Sequence, residues 1–387
     1  MWRGLCAGLL VILLFGVPGL SWAESPGAGD DLFSELDLRQ VDEAAGVLRA
    51  EIDAALPDMD FKTLAVSLAR GDLGYTPGDL AAALWRYFFR EVLANAALLG
   101  KLVVLAVICA VLQNISGAFE KSTTSRMAYT AVYLALITIA LGSFVIALNT
   151  GREAIENMVV FMHAMLPVML TLLCAVGGFA SAALVHPLIV IVMNAAANVV
   201  KNVVFPLIFF SAVLGMISHL ATGFSLSRLA DFLRYVGLGV MGVLTTVFLG
   251  VLTIQGVAGA VTEGIAFRTA KYASQAFLPI VGKMFSDAME MIVGSSLLVK
   301  NAVGLAGLLL IFLMALFPLL KIIVLIVIYK LAAALVQPLG ESRLSDCLNT
   351  LGNGIVAVFG VVATCALLFF FALALMTGLG NLTVMLR

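Results

Sequence analysis

Two lysines, Lys101 and Lys330, stand inside apolar runs, where an ammonium costs about 2.5 to 3.5 kcal/mol on membrane-insertion scales. Such a charge lines a pore or pairs with a partner, or else its four-carbon stem carries it back to the interface. Asn194, Asn198 and Asn202 recur at i, i+4 and i+8, which lays their amides along one helix face for interhelical hydrogen bonding or a polar pathway. His163 and His186 carry the ring nitrogens of a proton relay, but no Asp or Glu stands within an expected span to partner them. Glu263, Arg268 and Lys271 belong to a stretch, residues 259–300, that is too charged for lipid and too apolar for water. It reads as an amphipathic or re-entrant segment, either edging a polar cavity or partner surface or serving as a solvated connector. Lys101, Lys330, Glu263, Arg268, Lys271, Asn194 and Asn198 are therefore the candidate pore or partner residues.

Catalysis lacks its groups. There is no GxxxxGK[ST] phosphate loop, no HExxH and no membrane-embedded Asp pair, so no enzyme activity, cofactor or metal is expected. Gly294-Ser295-Ser296 has no suitably placed His and reads as helix packing. No cysteine pair has CxxC spacing; Cys109, Cys174 and Cys365 sit in apolar runs, and Cys347 falls in an expected connecting loop, so burial suits them better than a disulfide or zinc.

The elements that must position these residues are membrane helices. Of 387 residues, 62% are hydrophobic and 12% charged, with mean hydropathy +1.12, against about 25% charged in soluble proteins. That excludes a large water-filled catalytic domain, a disulfide scaffold and a nucleic-acid binder with a basic stripe. The net charge of −1 hides a segregation: residues 24–77 hold four basic and twelve acidic side chains, residues 78–387 seventeen and eleven.

Met1-Trp2-Arg3, an apolar run from Gly4 to Val17 and the small-x-small triplet Ser21-Trp22-Ala23 predict a cleavable signal peptide over residues 1–23. An acidic exported segment with leucines at helical spacing follows over 24–77; at this size it must dock on the membrane body or a partner. Residues 78–91 place Trp85, Phe88 and Phe89 beside Arg86 and Arg90, as an interfacial amphipathic helix would.

Charge-free intervals, divided by the roughly 20 residues one crossing needs, predict an all-α polytopic fold of seven to nine spans. The nine-span version places them near 92–115, 127–148, 158–176, 180–200, 203–222, 236–258, 301–317, 321–337 and 353–376, with a turn at Gly177-Gly178. The first two spans occupy 92–148, a membrane repeat 158–258 and a second repeat 301–387. With the mature N-terminus outside, the loops holding Lys121 and Arg126, and Arg228 and Arg234, fall inside, the Arg152-Glu153-Glu156 loop outside, Lys321 at an inside turn and the C-terminus in the cytoplasm, in line with the positive-inside rule. Gly237, Gly239, Gly242, Gly250, Gly256 and Gly259 predict one smooth, closely packed span.

Two motifs recur 112 residues apart: Leu166-Pro167-Val168 with Leu278-Pro279-Ile280, and Phe205-Pro206-Leu207 with Phe317-Pro318-Leu319. A third, Ser227-Arg228-Leu229-x-Asp231-x-Leu233, returns as Ser342-Arg343-Leu344-x-Asp346-x-Leu348. In the nine-span version the shared Phe-Pro-Leu segments open spans of opposite direction, an inverted repeat of the transporter kind.

Four stretches, SGAFEKSTTSRMAYTAVYL (Ser116 to Leu134), VTEGIAFRTAKYASQAFLPIVGKMFSDA (Val261 to Ala288), YKLAAALVQPLG (Tyr329 to Gly340) and GNLTVMLR (Gly380 to Arg387), closely resemble the stage III sporulation protein AE family of endospore-forming bacteria. The resemblance runs from about Asp79 to Arg387. It implies a multi-pass protein of the mother-cell membrane around the forespore, part of the channel or feeding tube that joins the two cells and sustains forespore development. The partners it implies are other stage III proteins of the same operon, among them an ATPase and ring-forming proteins, a forespore-side channel protein, a membrane insertase and membrane lipid, with no nucleic acid. It supplies no catalytic residues. A second reading of the residues is a secondary or ATPase-assisted transporter working at the repeat interface.

Overall fold

A computed structural model describes residues 36, 38–52, 61–70, 77–118, 123–220, 226–277, 281–339 and 342–379. Among these residues the fold is all helical. Two short helices, α1 (Arg39–Ile52) and α2 (Phe61–Ala69), precede α3 (Pro77–Ala118), α4 (Thr123–Ala175), α5 (Phe179–Val199), α6 (Phe205–Leu220), α7 (Ser227–Phe277), α8 (Val281–Val336) and α9 (Ser342–Gly378). A π-helical turn, Val200–Val204, joins α5 to α6, and a 3-10 turn, Gln337–Leu339, ends α8. The expected signal peptide lies outside the described residues.

Among the described residues, six helices are long and apolar enough to cross a membrane: Ala82–Leu112, Thr130–Ala175, Ser181–His219, Ser227–Gly256, Val293–Val336 and Arg343–Gly378. The seven to nine expected spans thus become six, because three expected turns are helical. Spans 127–148 and 158–176 fuse in α4, 180–200 and 203–222 in the α5–α6 unit, and 301–317 and 321–337 in α8. Charge was the misleading signal. Arg152, Glu153 and Glu156 make burial in lipid costly but do not break a helix, since arginine and glutamate are good helix formers. They lie mid-helix on α4 rather than in an outside loop, as does Lys321 on α8.

Proline was the other. Pro206 cannot donate, and its ring crowds the carbonyl four residues back. The wider π turn absorbs this, with the Phe205 N–H donating to Val200 O, five residues back. At about 1.5 Å per residue, the 53 residues of α4 reach about 80 Å, well beyond a hydrocarbon core of roughly 30 Å.

The Gly177-Gly178 turn forms where expected. Gly177 has φ +93°, its N–H donates to Cys174 O at 2.9 Å, and the Gly178 N–H donates to Leu173 O at 2.9 Å. This paired bonding closes a helix through a left-handed residue that glycine tolerates best.

Contacts along the helices give their directions. On α4, Phe144 stacks on Phe209 and His163 meets Asn194, so the α5–α6 unit runs antiparallel to α4. Tyr329 donates to Ala140 O, while Gly307 abuts Met165, so α8 is antiparallel to α4 as well. The α5–α6 unit and α8 therefore run the same way. Both carry Phe-Pro-Leu near mid-helix, not at a start, and each is followed by a helix opened by the Ser-Arg-Leu-x-Asp motif, α7 or α9. The two Phe-Pro-Leu helices therefore share a direction, and the inversion expected from nine spans is not shown.

The α8–α9 hairpin forms the centre, with half or more of its apolar windows buried (50% and 56%), whereas α3 and α7 lie outside (17% and 22%). The glycines of α7 fit this peripheral place. Gly237 and Gly256 meet Leu207 and Leu375, but Gly239, Gly242 and Gly250 face open space, so among the described glycines the expected smooth packing face holds at two positions, the surroundings of Gly259 lying outside the described residues. Residues 78–91 open α3, with Trp85 and Phe89 exposed and Tyr87 buried edge-on against Phe317 at 4.8 Å. The 259–300 stretch is helical on both sides of residues 278–280, completing α7 and opening α8, where a re-entrant loop was one expectation. Cys347 is likewise on α9 and fully buried, not in a loop.

The N-terminal helices dock as anticipated, α1 on α4 and α2 on α8. Leu38, Val41, Phe61 and Leu64 are buried in the same continuous core as the long helices. Phe61→Ala, at about 3 to 5 kcal/mol for a buried Phe, is expected to release α2. Limited proteolysis of the detergent-purified protein should then cut residues 24–77 faster and spare the long helices; unchanged cleavage would show that the docking does not depend on this side chain.

Candidate functional site

Polar side chains from four helices converge where the α6–α7 and α8–α9 hairpins meet. Lys330, on the penultimate turns of α8, lays its stem across Gly352: a Cβ there would sit 3.4 Å from Cε and 3.5 Å from Cδ. Its ammonium donates to Asn349 Oδ1 at 2.6 Å and to Asn353 Oδ1. These two amides stand at i and i+4 of α9, the spacing that puts both on one face. One turn away, His219 of α6 pairs with Thr350 at 3.1 Å. Arg234 of α7 is a second cation whose field reaches Lys330. Among the described residues, neither cation is joined to a carboxylate; Asp231 and Asp346 are exposed. Lys330 thus meets neutral amides of α9 while remaining partly exposed near the end of its helix.

Lys101 is different: it is exposed on α3, as a snorkelling stem would be. Asn194 meets His163 at 3.3 Å and donates to Val190 O at 2.8 Å. His163 therefore pairs with an amide of α5 and not with His186, which is exposed. Asn198 and Asn202 are exposed on the same face of the α5–α6 unit, and beside them Lys201 forms a 3.1 Å ion pair with Glu156 of α4. Glu156, His163, Asn194, Asn198, Lys201 and Asn202 so make a polar stripe on the outer surface along the α4–α5 groove. Glu263, Arg268 and Lys271 lie on the last turns of α7, and their side chains fall outside the described residues.

Three features escaped the sequence reading. Lys300 is fully buried and donates to Thr377 O at 2.9 Å and to Leu379 O, capping the carbonyl end of α9. The Asn349/Asn353 pair was legible from its spacing, yet nothing local points it at Lys330, 19 and 23 residues earlier. Glu156 was expected in an outside loop and Lys201 was not singled out, which hid their pairing.

The Spore_III_AE family model, described as stage III sporulation protein AE, matches residues 59–380. Stage III sporulation protein AE of Bacillus subtilis (strain 168) is 39% identical over 354 residues, covering 92% of this chain and 88% of that protein. No solved structure is a significant match. A match of this extent takes in all six long helices and the polar cluster between them, and the chain belongs to the stage III sporulation protein AE family.

Proposed function

We propose that the protein is a membrane component of the channel complex joining mother cell and forespore, seated in the mother-cell membrane and needed for endospore development. Family membership supports the sporulation role. The observation that carries the assembly is the α4–α5 stripe. A carboxylate, a lysine, a histidine and three asparagines on an outer helix face are costly against lipid, so this face meets protein or water in the working complex. Its partners are the stage III proteins of the same operon, the ATPase and ring-forming members included, with the forespore-side channel protein across the intermembrane space and an insertase assisting entry into the membrane. The transporter alternative has less support, since between the halves Gly307 packs directly onto Met165.

Six crossings return the chain to the side on which it began. An exported N-terminus then places the end of α9 outside too, in place of the cytoplasmic C-terminus expected from nine spans. The ends carrying Arg126, Arg228, Lys330 and Arg343 then fall inside, while Arg86, Arg90, Arg268, Lys271 and Lys283 fall at outside ends, so basic residues are spread over both sides in this arrangement.

The test is genetic and chemical together. Deleting the gene should reduce heat-resistant spores by orders of magnitude, and a bifunctional cross-linker at Asn198→Cys should capture another protein of the complex during sporulation. Normal spore counts after deletion would overturn the reading.

A further inference from the structure

The α4–α5 stripe is a ladder of complementary rungs. Glu156 of α4 pairs with Lys201 at 3.1 Å, and His163 of α4 meets Asn194 of α5 at 3.3 Å. Glu156, Val160 and His163 recur at i, i+4 and i+7, and so do Asn194, Asn198 and Lys201, which puts one stripe on each helix. The two paired rungs therefore stand about 10 Å apart, with Val160 and Asn198 between them. One chain does not close this ladder. Glu156 keeps 61% of its side chain exposed and Lys201 29%. Asn198 is exposed and makes no side-chain hydrogen bond among the described residues. On the same face Val160 and Ile191 stand 52% and 63% exposed.

We propose that the ladder is a homotypic interface, on which a second copy of the chain docks about a twofold axis along the membrane normal. The choice of partner rests on the assembly role proposed above. All copies cross the membrane in one direction, so this axis keeps every rung at its own height. A twofold contact sets the same patch against itself, and here it brings α4 of each copy against α5 of the other. Glu156 then faces Lys201 of the second copy, and the two ion pairs become one ring of alternating charge. Exposed Glu153 and half-buried Arg152 offset each other beside it, so the ring gathers no net charge. His163 faces Asn194 of the second copy in the same way. Asn198 meets its own counterpart near the axis, where an amide offers both the donor and the acceptor that its twin needs. A foreign helix would have to match this order of charge, amide and imidazole; a second copy carries it already.

The test uses the full chain, expressed with two different tags in membranes of sporulating cells. Asn198→Cys, treated with a short bis-maleimide, should give a product of doubled mass that carries both tags. The unsubstituted chain, and Val243→Cys on the exposed side of α7, should not. Glu156→Lys and Lys201→Glu should each reduce co-purification of the two tags at least about tenfold, because like charges then oppose one another across the axis. Co-expressing the two variants should restore it, since one copy presents only cations and the other only anions at this rung, and no change confined to one chain can do that. If either variant fails to accumulate, the Asn198→Cys result decides alone. A single-tag product with another protein, no doubled-mass product, equal yield from Val243→Cys, or mixed variants that accumulate without associating would overturn the homotypic contact. The assembly role is judged separately, by the spore count after deletion.

Discussion

Lys300→Met is expected to lower the thermal unfolding midpoint of the purified protein sharply and to deplete it from membranes. Methionine keeps the stem's apolar packing while removing the donors. The carbonyls of Thr377 and Leu379 lie at the end of α9, where a helix has no partners of its own for its last C=O groups. In a fully buried setting each orphaned group costs about 1 to 3 kcal/mol, and the loss of a cation at the negative helix end adds to this. A penalty of about 3 kcal/mol or more is large against total stabilities of about 5 to 15 kcal/mol. Lys300→Arg, which keeps charge and donors but not shape, should fall between. A Lys300→Met protein that melts with the wild type would show that the capped end of α9 finds other partners.

The second large effect lies one turn further along the same helix pair. A Cβ built on Gly304 would approach the Oγ1, Cγ2 and Cβ atoms of Thr377 to less than 3.0 Å. The Thr377 hydroxyl donates to Leu373 O at 2.9 Å and cannot simply swing away. Gly304→Ala should therefore overpack the α8–α9 crossing, at about 1 to 3 kcal/mol, and Gly304→Leu should prevent accumulation altogether. Because the obstacle is one named side chain, Thr377→Ala ought to recover much of the loss. The double variant should be more stable than the two single effects predict, with a coupling of about 1 to 2 kcal/mol. Strict additivity in a double-mutant cycle of melting measurements would place the clash elsewhere.

These two positions show where local reading stops. Lys300 was visible as a charge in an ambiguous stretch, and Gly304 as one glycine among many. Neither carries any local sign of Thr377, more than seventy residues away. The same limit explains the span count. Gly177-Gly178 could be read as a turn because a left-handed closure is a property of the residues that make it. A turn at Arg152 could not be judged in the same way, since charge governs the cost of an environment and leaves backbone direction open.

By itself the sequence determined the all-helical membrane class, the family, the docking acidic segment and the recurrence of the Phe-Pro-Leu and Ser-Arg-Leu-x-Asp motifs, because hydropathy, helix periodicity and motif identity are summed over neighbours along the chain. Tertiary structure decided which helices run unbroken, that the two Phe-Pro-Leu helices point the same way, and that Lys330 answers to Asn349 and Asn353. Those outcomes depend on packing between distant segments, where the position of one helix sets what another's side chains can reach.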